Sequence, residues 1–443
     1  MFQNKKIKLD IHTLKVISNS SKTIIVKIAG MVAGLLISVF LAQTLGPEGI
    51  GIINFANGVG IILLLFSMFG FQNVIIKFVA IAKKRLDNKS VITTLKTSLF
   101  FNGLLSILIA VIGVIALPFI LDMWPDRQNL HIPLMIVFVM IVPQTISRVY
   151  GFTLNGYGKI WQANLVNQAL SLILVGIGFI IYWNLEIKFT PTSVLLLYAI
   201  SRTLMVMIVI LIWRQTFKSK IKGGFNFKPM FKMAKPMLLV SGTSIIASKA
   251  DVIMIGILGT FDEVGIYSIA AQLAMMTSLF LVVINSAIKP KLASLFANNS
   301  IDELRNMVQR VTKILIFLAL LFVIFFIVMG QWILGFWGTE FQEAYWILVI
   351  LSIGQFFNIS TGCSGTLLIM CGFEKSHGYI SVVEVILNIL LNLIFIINFG
   401  ALGAAYATAS TVIFSNITKV ILAKRKTGIL TLPRNLKLSE YFN

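Results

Sequence analysis

The most informative residues are the few ionisable side chains that fall inside long apolar segments. Lys249 and Asp251 share one such segment, while Arg202, Arg148 and Glu384 lie in three others. A charged side chain in hydrocarbon costs several kcal/mol unless it faces a partner or a wet cavity. Each of these five positions is therefore a candidate functional site, and their types indicate binding of ions or charged ligands.

The three cations predict an anion-binding site. Arg202, Lys249 and Arg148 could bind a phosphate or pyrophosphate, because guanidinium and ammonium groups donate charge-assisted hydrogen bonds to its oxygens. Internal salt bridges, for example between Asp251 and either Lys249 or Arg202, are the alternative, and Arg148 could instead extend to the cytoplasmic headgroups. Lys249 and Asp251 do not face each other on one helix, so an ion pair would need a second helix.

Two polar stripes accompany the carboxylates. Asp251 ends one and Glu384 begins the other, and we regard both as candidate ion-coupling groups because buried carboxylates can titrate near neutral pH. Such stripes either line a hydrophilic chamber or hold helices together by hydrogen bonds. The neutral polar residues in these stripes and in neighbouring segments are Asn54, Asn57, Ser244, Ser248, Gln272, Asn388 and Asn392.

The elements that must position these residues are membrane-spanning helices. The chain has 443 residues, of which 58% are hydrophobic and only 12% charged, too little polar surface for a soluble globule. Apolar runs of about 20 residues recur, each long enough to cross a hydrocarbon core of about 30 Å. The sequence predicts an all-α polytopic protein with about twelve spans, near residues 24–45, 50–72, 97–120, 132–151, 162–183, 192–213, 236–258, 264–287, 309–330, 344–367, 379–397 and 401–423.

The charge distribution predicts the orientation. The net charge is +21, yet only Arg127 and Lys188 of the 37 Lys and Arg residues fall on the external turns when the N-terminus is placed inside. This positive-inside pattern predicts that both termini are cytoplasmic in a multi-pass protein of the cytoplasmic (inner) membrane. It explains the basic excess by topology and by attraction to membrane lipids, without nucleic-acid binding.

An internal repeat predicts two lobes. Residues 45–56 share a Leu-Gly, acidic turn, Gly-Ile pattern with residues 258–270, about 213 positions later, and residues 155–159 match 371–375 at an offset of 216. Each half contains an even number of spans, so the repeats are parallel, and transporters of this design bind substrate between repeats. We expect a six-helix lobe over 1–213, a basic cytoplasmic linker over 214–235, and a second six-helix lobe with a basic tail over 236–443.

Catalytic and cofactor signals are not found in the sequence. Cys363 and Cys371 lack metal-binding spacing, the three histidines are scattered, and no phosphate-binding loop or hydrolase motif occurs. We therefore expect a transporter that is no enzyme and carries neither a metal nor another cofactor.

Several motifs resemble one transporter family. They are Leu45–Gly51, Asp251–Gly259, Val264–Ala270, Pro290 and Asn398–Thr408. In order and spacing they are similar to the Wzx-type polysaccharide flippases of the multidrug/oligosaccharidyl-lipid/polysaccharide exporter (MOP) superfamily. The resemblance implies transfer of an undecaprenyl-pyrophosphate-linked oligosaccharide repeat unit of O-antigen, capsule or another surface polysaccharide across the cytoplasmic membrane. It also implies alternating access by two lobes around a cationic cavity, with Arg202, Lys249 and Arg148 as the matching cations.

Two relatives of that family remain as alternatives. A cation-coupled multidrug exporter would share the architecture, although mid-membrane cations disfavour cationic substrates, and a lipid II flippase would typically carry extra spans. We expect a monomer whose partners are the lipid-linked oligosaccharide, membrane lipids, and the glycosyltransferases and polymerase acting before and after it.

Overall fold

The computed structural model of the chain describes residues 11–218, 221 and 223–433. This part is helical, with no strand in the described ranges. Nine of its helices are long and apolar enough to cross a membrane, and a pair bent by 45° at residues 167–170 brings the number to ten. The predicted multi-pass, all-helical fold is confirmed at this level. Residues 1–10, Lys220 and Lys222 of the linker and the last ten residues lie outside the described residues.

Fourteen α-helices follow one another along the described chain, linked by short turns. The 3-10 turns are Pro125–Leu130 and Thr339–Ala344, and the π-helical turn is Leu165–Ala169. The helices are α1 (Ile11–Met68), α2 (Phe71–Lys84), α3 (Asn88–Asp122), α4 (His131–Gly156), α5 (Ile160–Asn164), α6 (Leu170–Asn184), α7 (Pro191–Thr216), α8 (Phe227–Leu258), α9 (Phe261–Met276), α10 (Leu279–Ala297), α11 (Ile301–Leu334), α12 (Tyr345–Ser360), α13 (Ser364–Met370) and α14 (Glu374–Thr427).

The two longest helices are each interrupted by a glycine. In α1, Gly46 has φ 66° and ψ −174°, and in α14, Gly400 has φ 56° and ψ −138°. Glycine tolerates these left-handed conformations, which a side chain would strain. The interruptions fall between the first two and the last two predicted spans. The second predicted span also ends earlier than expected, because Phe69 and Gly70 have positive φ after Met68.

The described chain forms two compact units. Unit 1 comprises Met1–Thr44 and Val59–Ser241. One of its buried clusters surrounds Phe71, Val149 and Leu154 and joins side chains of α2, α3, α4 and α7. Close van der Waals packing of these apolar side chains holds the helices together.

Unit 2 comprises Leu45–Gly58 and Gly242–Asn443. A capping box begins α9, in which the Thr260 hydroxyl accepts from the Glu263 N–H and the Glu263 carboxylate from the Thr260 N–H. The same carboxylate accepts a hydrogen bond of 3.4 Å from the Ala401 N–H, directly after the interruption of α14. Glu263 therefore fixes both the start of α9 and the turn between the two limbs of α14.

Within unit 2, the two copies of the repeated motif pack against each other reciprocally. A Cβ placed on Gly51 would lie 1.8 Å from the Phe261 carbonyl oxygen, and one on Gly265 would lie 2.0 Å from the Pro47 carbonyl oxygen. Gly51 and Gly265 are separated by 214 positions, as are Pro47 and Phe261. The contact thus has the local two-fold character that a duplicated segment produces. Only glycine permits this approach of the backbones.

Candidate functional site

Asp251 lies at the centre of a buried polar cluster in unit 2. Its side chain on α8 is 7% exposed. Oδ2 accepts hydrogen bonds from the Tyr267 hydroxyl at 2.6 Å and the Thr408 hydroxyl at 2.7 Å. Oδ1 accepts from the Asn392 amide at 2.7 Å and the Asn388 amide at 3.3 Å. Four neutral donors from α9 and α14 therefore stabilise this carboxylate, as a buried charge requires.

The cluster also holds oxygens with unused acceptor capacity. Asn388 Oδ1 and Asn392 Oδ1 are buried and have no hydrogen-bond donor. Together with the Asp251 carboxylate and the two hydroxyls, they give the cluster six side-chain oxygens, two of which have no donor. Oxygens are the ligands that hard cations prefer, and a carboxylate is the one of these groups that binds a proton.

The salt-bridge alternative for Asp251 does not occur in the described residues. All four of its partners are neutral, and neither Lys249 nor Arg202 belongs to an ion pair. Lys249 is half-buried, two positions from Asp251 on α8.

Glu384 has different surroundings from Asp251. It accepts a hydrogen bond of 2.5 Å from the Ser415 hydroxyl, and its Oε2 lies 3.5 Å from the Lys419 ammonium. The side chains of Lys419 and Glu384 are 14% and 22% exposed. His377 lies close enough to interact electrostatically with both. Glu384 is therefore charge-compensated by an internal cation, whereas Asp251 is not.

The two candidate arginines of unit 1 lie on helices that pack against each other. Arg148 on α4 and Arg202 on α7 are both half-buried. The Nε atom of each is shielded from solvent without a hydrogen-bond partner, and neither belongs to an ion pair of the described residues. Tyr198 lies one turn before Arg202 on α7. Two uncompensated guanidinium groups on neighbouring helices suit a doubly charged anion.

The neutral candidates have mixed outcomes. Asn388 is buried and contacts Asp251, and Asn54, Asn57 and Gln272 are half-buried. Ser244 and Ser248 are exposed, and the Ser248 hydroxyl donates to the Ile245 carbonyl of its own helix. Their predicted role in lining a cavity stays a prediction.

Four residues of these clusters were not among the sequence-based candidates. They are Tyr267, Thr408, Ser415 and Lys419. Tyr267 and Thr408 both lie in the motifs that carry the family resemblance. Ser415 and Lys419 are four positions apart, the spacing of one helix face. A search for polar residues at this spacing along the last span would have found them.

Helices of this length and composition, with charged residues inside them, define the class of a polytopic membrane protein. Two solved structures share the fold. A multidrug resistance MATE family transporter of the MOP superfamily, in an inward-facing conformation, matches with a TM-score of 0.74 at 13% identity, covering 90% of this chain and 94% of its own. The lipid II flippase MurJ, in an inward closed conformation, matches with a TM-score of 0.72 at 16% identity over 92% and 87% of the two chains.

The chain belongs to the family described as polysaccharide biosynthesis protein, which matches residues 16–296. Residues 236–394 also match the MatE family. Recognition as a member of the MOP superfamily in its polysaccharide branch is thereby confirmed.

Three relatives carry names from surface-glycan biosynthesis. A protein named as a low-salt glycan biosynthesis flippase, Agl15 of Haloferax volcanii, is 30% identical over 214 residues, which are 46% of this chain and 44% of that one. The capsular polysaccharide biosynthesis protein CapF of Staphylococcus aureus is 26% identical over 54% of this chain and 60% of its own. A protein named as an O-antigen transporter of Shigella flexneri is 21% identical over 84% and 89%. The chain thus spans about half the length of the first two relatives.

Proposed function

We propose that this protein is a flippase that moves a polyprenyl-pyrophosphate-linked oligosaccharide from the cytoplasmic to the outer leaflet. The names of the three relatives and the polysaccharide biosynthesis family support this function. A glycan headgroup cannot shed its water into hydrocarbon without compensation, so a polar path through protein is needed. The protein supplies that path and performs no covalent chemistry.

The observation that carries the proposal is the uncompensated pair Arg148 and Arg202. A buried cation without a counter-ion is costly, and two on neighbouring helices cost more because they repel. A pyrophosphate carries charge on both phosphoryl groups, so one guanidinium can pair with each. Lys249 is the third candidate cation for the acidic part of the substrate, and it is half-buried in α8.

The topology we propose has twelve spans in two six-helix lobes, with both termini cytoplasmic. Ten spans follow from helix length and composition when the bent pair is included. The interruptions at Gly46 and Gly400 divide α1 and α14 into two segments each, which accounts for two more. The two lobes would then move the headgroup by alternating access. We propose that the protein does this as a monomer in the cytoplasmic membrane.

Cation coupling at Asp251 is the second part of the proposal. The carboxylate keeps its charge through neutral donors alone, so binding a cation requires no internal salt bridge to be broken. A proton or a sodium ion moving down its gradient could thereby drive the cycle. Exchange of Asp251 for asparagine should leave flipping of reconstituted protein insensitive to both gradients, and gradient-driven flipping in that variant would contradict the assignment.

The decisive experiment for the substrate is lipid extraction from cells depleted of the protein, with mass analysis of polyprenyl-linked glycans. We expect one complete repeat unit to accumulate on its carrier, which would also identify the glycan that the glycosyltransferases supply and the polymerase consumes. Accumulation of lipid II would instead indicate a peptidoglycan-precursor flippase. Unchanged carrier lipids with raised sensitivity to cationic dyes would indicate a multidrug exporter.

A further inference from the structure

A column of buried oxygen-bearing side chains extends along α14 from the Asp251 cluster toward Glu384. On the first limb, Asn392, Asn388 and Glu384 recur every four residues, and on the second limb hydroxyls occur at Thr408, Thr411 and Ser415. Spacings of three and four residues place each set on one helix face. The two faces meet, because the Asn388 amide donates to the Thr408 hydroxyl at 3.1 Å and the Ser415 hydroxyl to Glu384 at 2.5 Å.

The middle of the column is shielded from solvent. Thr411 is 2% exposed, Ser415 is fully buried, and Asn388 is 4% exposed, whereas Thr408 and Glu384 are half-buried. Polar side chains at this depth are expensive unless they serve a purpose or satisfy one another. Asn388 Oδ1 and Asn392 Oδ1 have no donor. Two acceptors in the column are therefore open to a further hydrogen bond.

The two ends of the column differ in charge. At one end, Asp251 is surrounded by neutral donors, among them the Tyr267 hydroxyl. At the other end, Glu384 pairs with Lys419 and interacts with His377. Lys249, half-buried on α8, is the cation nearest to Asp251 in sequence. Helices α12 and α13, which also pack on α14, contain no acidic or basic residue.

We propose that this column is a proton path between Asp251 and Glu384, and that Glu384, Ser415 and Lys419 form its cytoplasmic exchange site. The inference rests on the coupling role proposed for Asp251. Hydroxyl groups both donate and accept, so each can receive a proton on one side and release one on the other. The Thr408 hydroxyl donates to Asp251 and the Ser415 hydroxyl to Glu384. Between them, the Thr411 hydroxyl donates to the Ala407 and Thr408 carbonyls of its own helix and must rotate to pass a proton on. Successive positions are about 5–6 Å apart, a distance that a single bridging water spans.

Lys419 distinguishes the two protonation states of Glu384. While Glu384 is ionised, the Lys419 ammonium compensates its charge and the carboxylate is ready to accept a proton. Once protonated, Glu384 no longer attracts Lys419, and its carboxyl group can donate onward through Ser415. Protons pass along such a column by transfer between hydrogen-bonded groups, which a metal ion cannot do, so a path of this kind is selective for protons.

The test is a time-resolved measurement of charge displacement in proteoliposomes containing the full chain, adsorbed to a solid-supported membrane. A pH jump should give a signal in the wild type that Asp251→Asn abolishes. Thr411→Val removes one hydroxyl of the column and should slow the signal about tenfold, the effect of about one lost hydrogen bond. Glu384→Gln removes the titrating group of the exchange site and should slow the signal at least as much. Neither variant should change the pH of half-maximal amplitude. Glu374→Gln, at the exposed start of the same limb, is the matched control and should behave as the wild type.

Removal of one partner of the Glu384–Lys419 pair could unfold the protein, because it leaves a buried charge unpaired. The double variant Glu384→Gln with Lys419→Gln removes both charges and should show the same slow signal. Wild-type rates in this double variant and in Thr411→Val would overturn the path while leaving coupling at Asp251 intact. A pH signal that survives Asp251→Asn, or a wild-type signal that follows Na⁺ jumps only, would overturn proton coupling itself.

Discussion

The two units solve the problem of a buried charge in opposite ways. In unit 2, Asp251 is negative and accepts four hydrogen bonds from neutral groups. In unit 1, Arg148 and Arg202 are positive, lie on neighbouring helices, and are left with unsatisfied Nε atoms. One charge is already solvated by the protein, and the other pair still lacks its counter-charge. A site of the first kind tolerates loss of a small cation, whereas a site of the second kind is completed only by an anionic ligand.

This difference arose although the two halves share a repeated motif. The reciprocal contact of Gly51 and Gly265 preserves the duplicated geometry, yet the charges have the opposite sign in the two units. The shared motif therefore accompanies intramembrane residues of opposite charge, negative at Asp251 and positive at Arg148 and Arg202.

The largest expected effect is the loss of stability when Asp251 of unit 2 is replaced by alanine. Asp251→Ala leaves four buried donors without their acceptor, so we expect a loss of about 3–5 kcal/mol of stability together with loss of coupling. Thermal unfolding of purified protein in detergent measures the first effect. Asp251→Asn retains an acceptor of the same size and should unfold close to the wild type. Equal stability of the alanine variant and the wild type would show that the cluster is not the tightly satisfied site described above.

Substitution of the arginine pair should raise the stability of the protein, whereas Asp251→Ala should lower it. Arg148→Met and Arg202→Met each remove an uncompensated charge, and replacement of such charges by apolar groups is often stabilising, by about 1–4 kcal/mol. We expect higher thermal stability combined with flipping reduced about 100-fold, since a charged contact to the substrate is lost. Arg214→Met, at the exposed end of α7, is the control and should leave flipping unchanged. A destabilised methionine variant would mean that the pair is structural.

The sequence located the buried ionisable residues better than it located their hydrogen-bond partners. Charges inside apolar runs identified Asp251, Arg148 and Arg202, and the four-residue spacing identified Asn388 and Asn392. Which helices face each other depends on tertiary packing, so Tyr267 and Thr408 could not be assigned to Asp251. The spans were largely predictable from hydropathy, whereas the turn at Phe69 and Gly70 depends on local backbone conformation that hydropathy does not encode.

A smaller loss of stability is expected for substitutions at Gly51 and Gly265, where the two copies of the motif pack against each other. Gly51→Ala and Gly265→Ala would each place a methyl group against a backbone carbonyl of the other motif. Overpacking of this kind costs about 1–3 kcal/mol, and the local symmetry predicts similar values for both variants. Thermal unfolding measures them, with Gly176→Ala as control because nothing lies within 4 Å of its Cβ position. A large loss of stability in only one of the two variants would show that the two glycine contacts do not contribute equally to stability.

The smallest effect distinguishes the two cations that Asp251 could bind. Tyr267→Phe removes the hydroxyl that donates to Asp251 Oδ2 at 2.6 Å. The cluster around Asp251 then has one oxygen fewer. The lost donor favoured the ionised form, so proton binding should become tighter, by about tenfold for a hydrogen bond to a charged group. Sodium would lose a ligand and bind more weakly. Half-saturation of coupled flipping, titrated separately with pH and with Na⁺, measures both directions, and Tyr379→Phe, on an exposed residue of α14, is the control. A shift toward tighter proton use supports the proton path through Thr408, whereas weaker Na⁺ use alone would make the same cluster a sodium site and leave the column without a role in coupling.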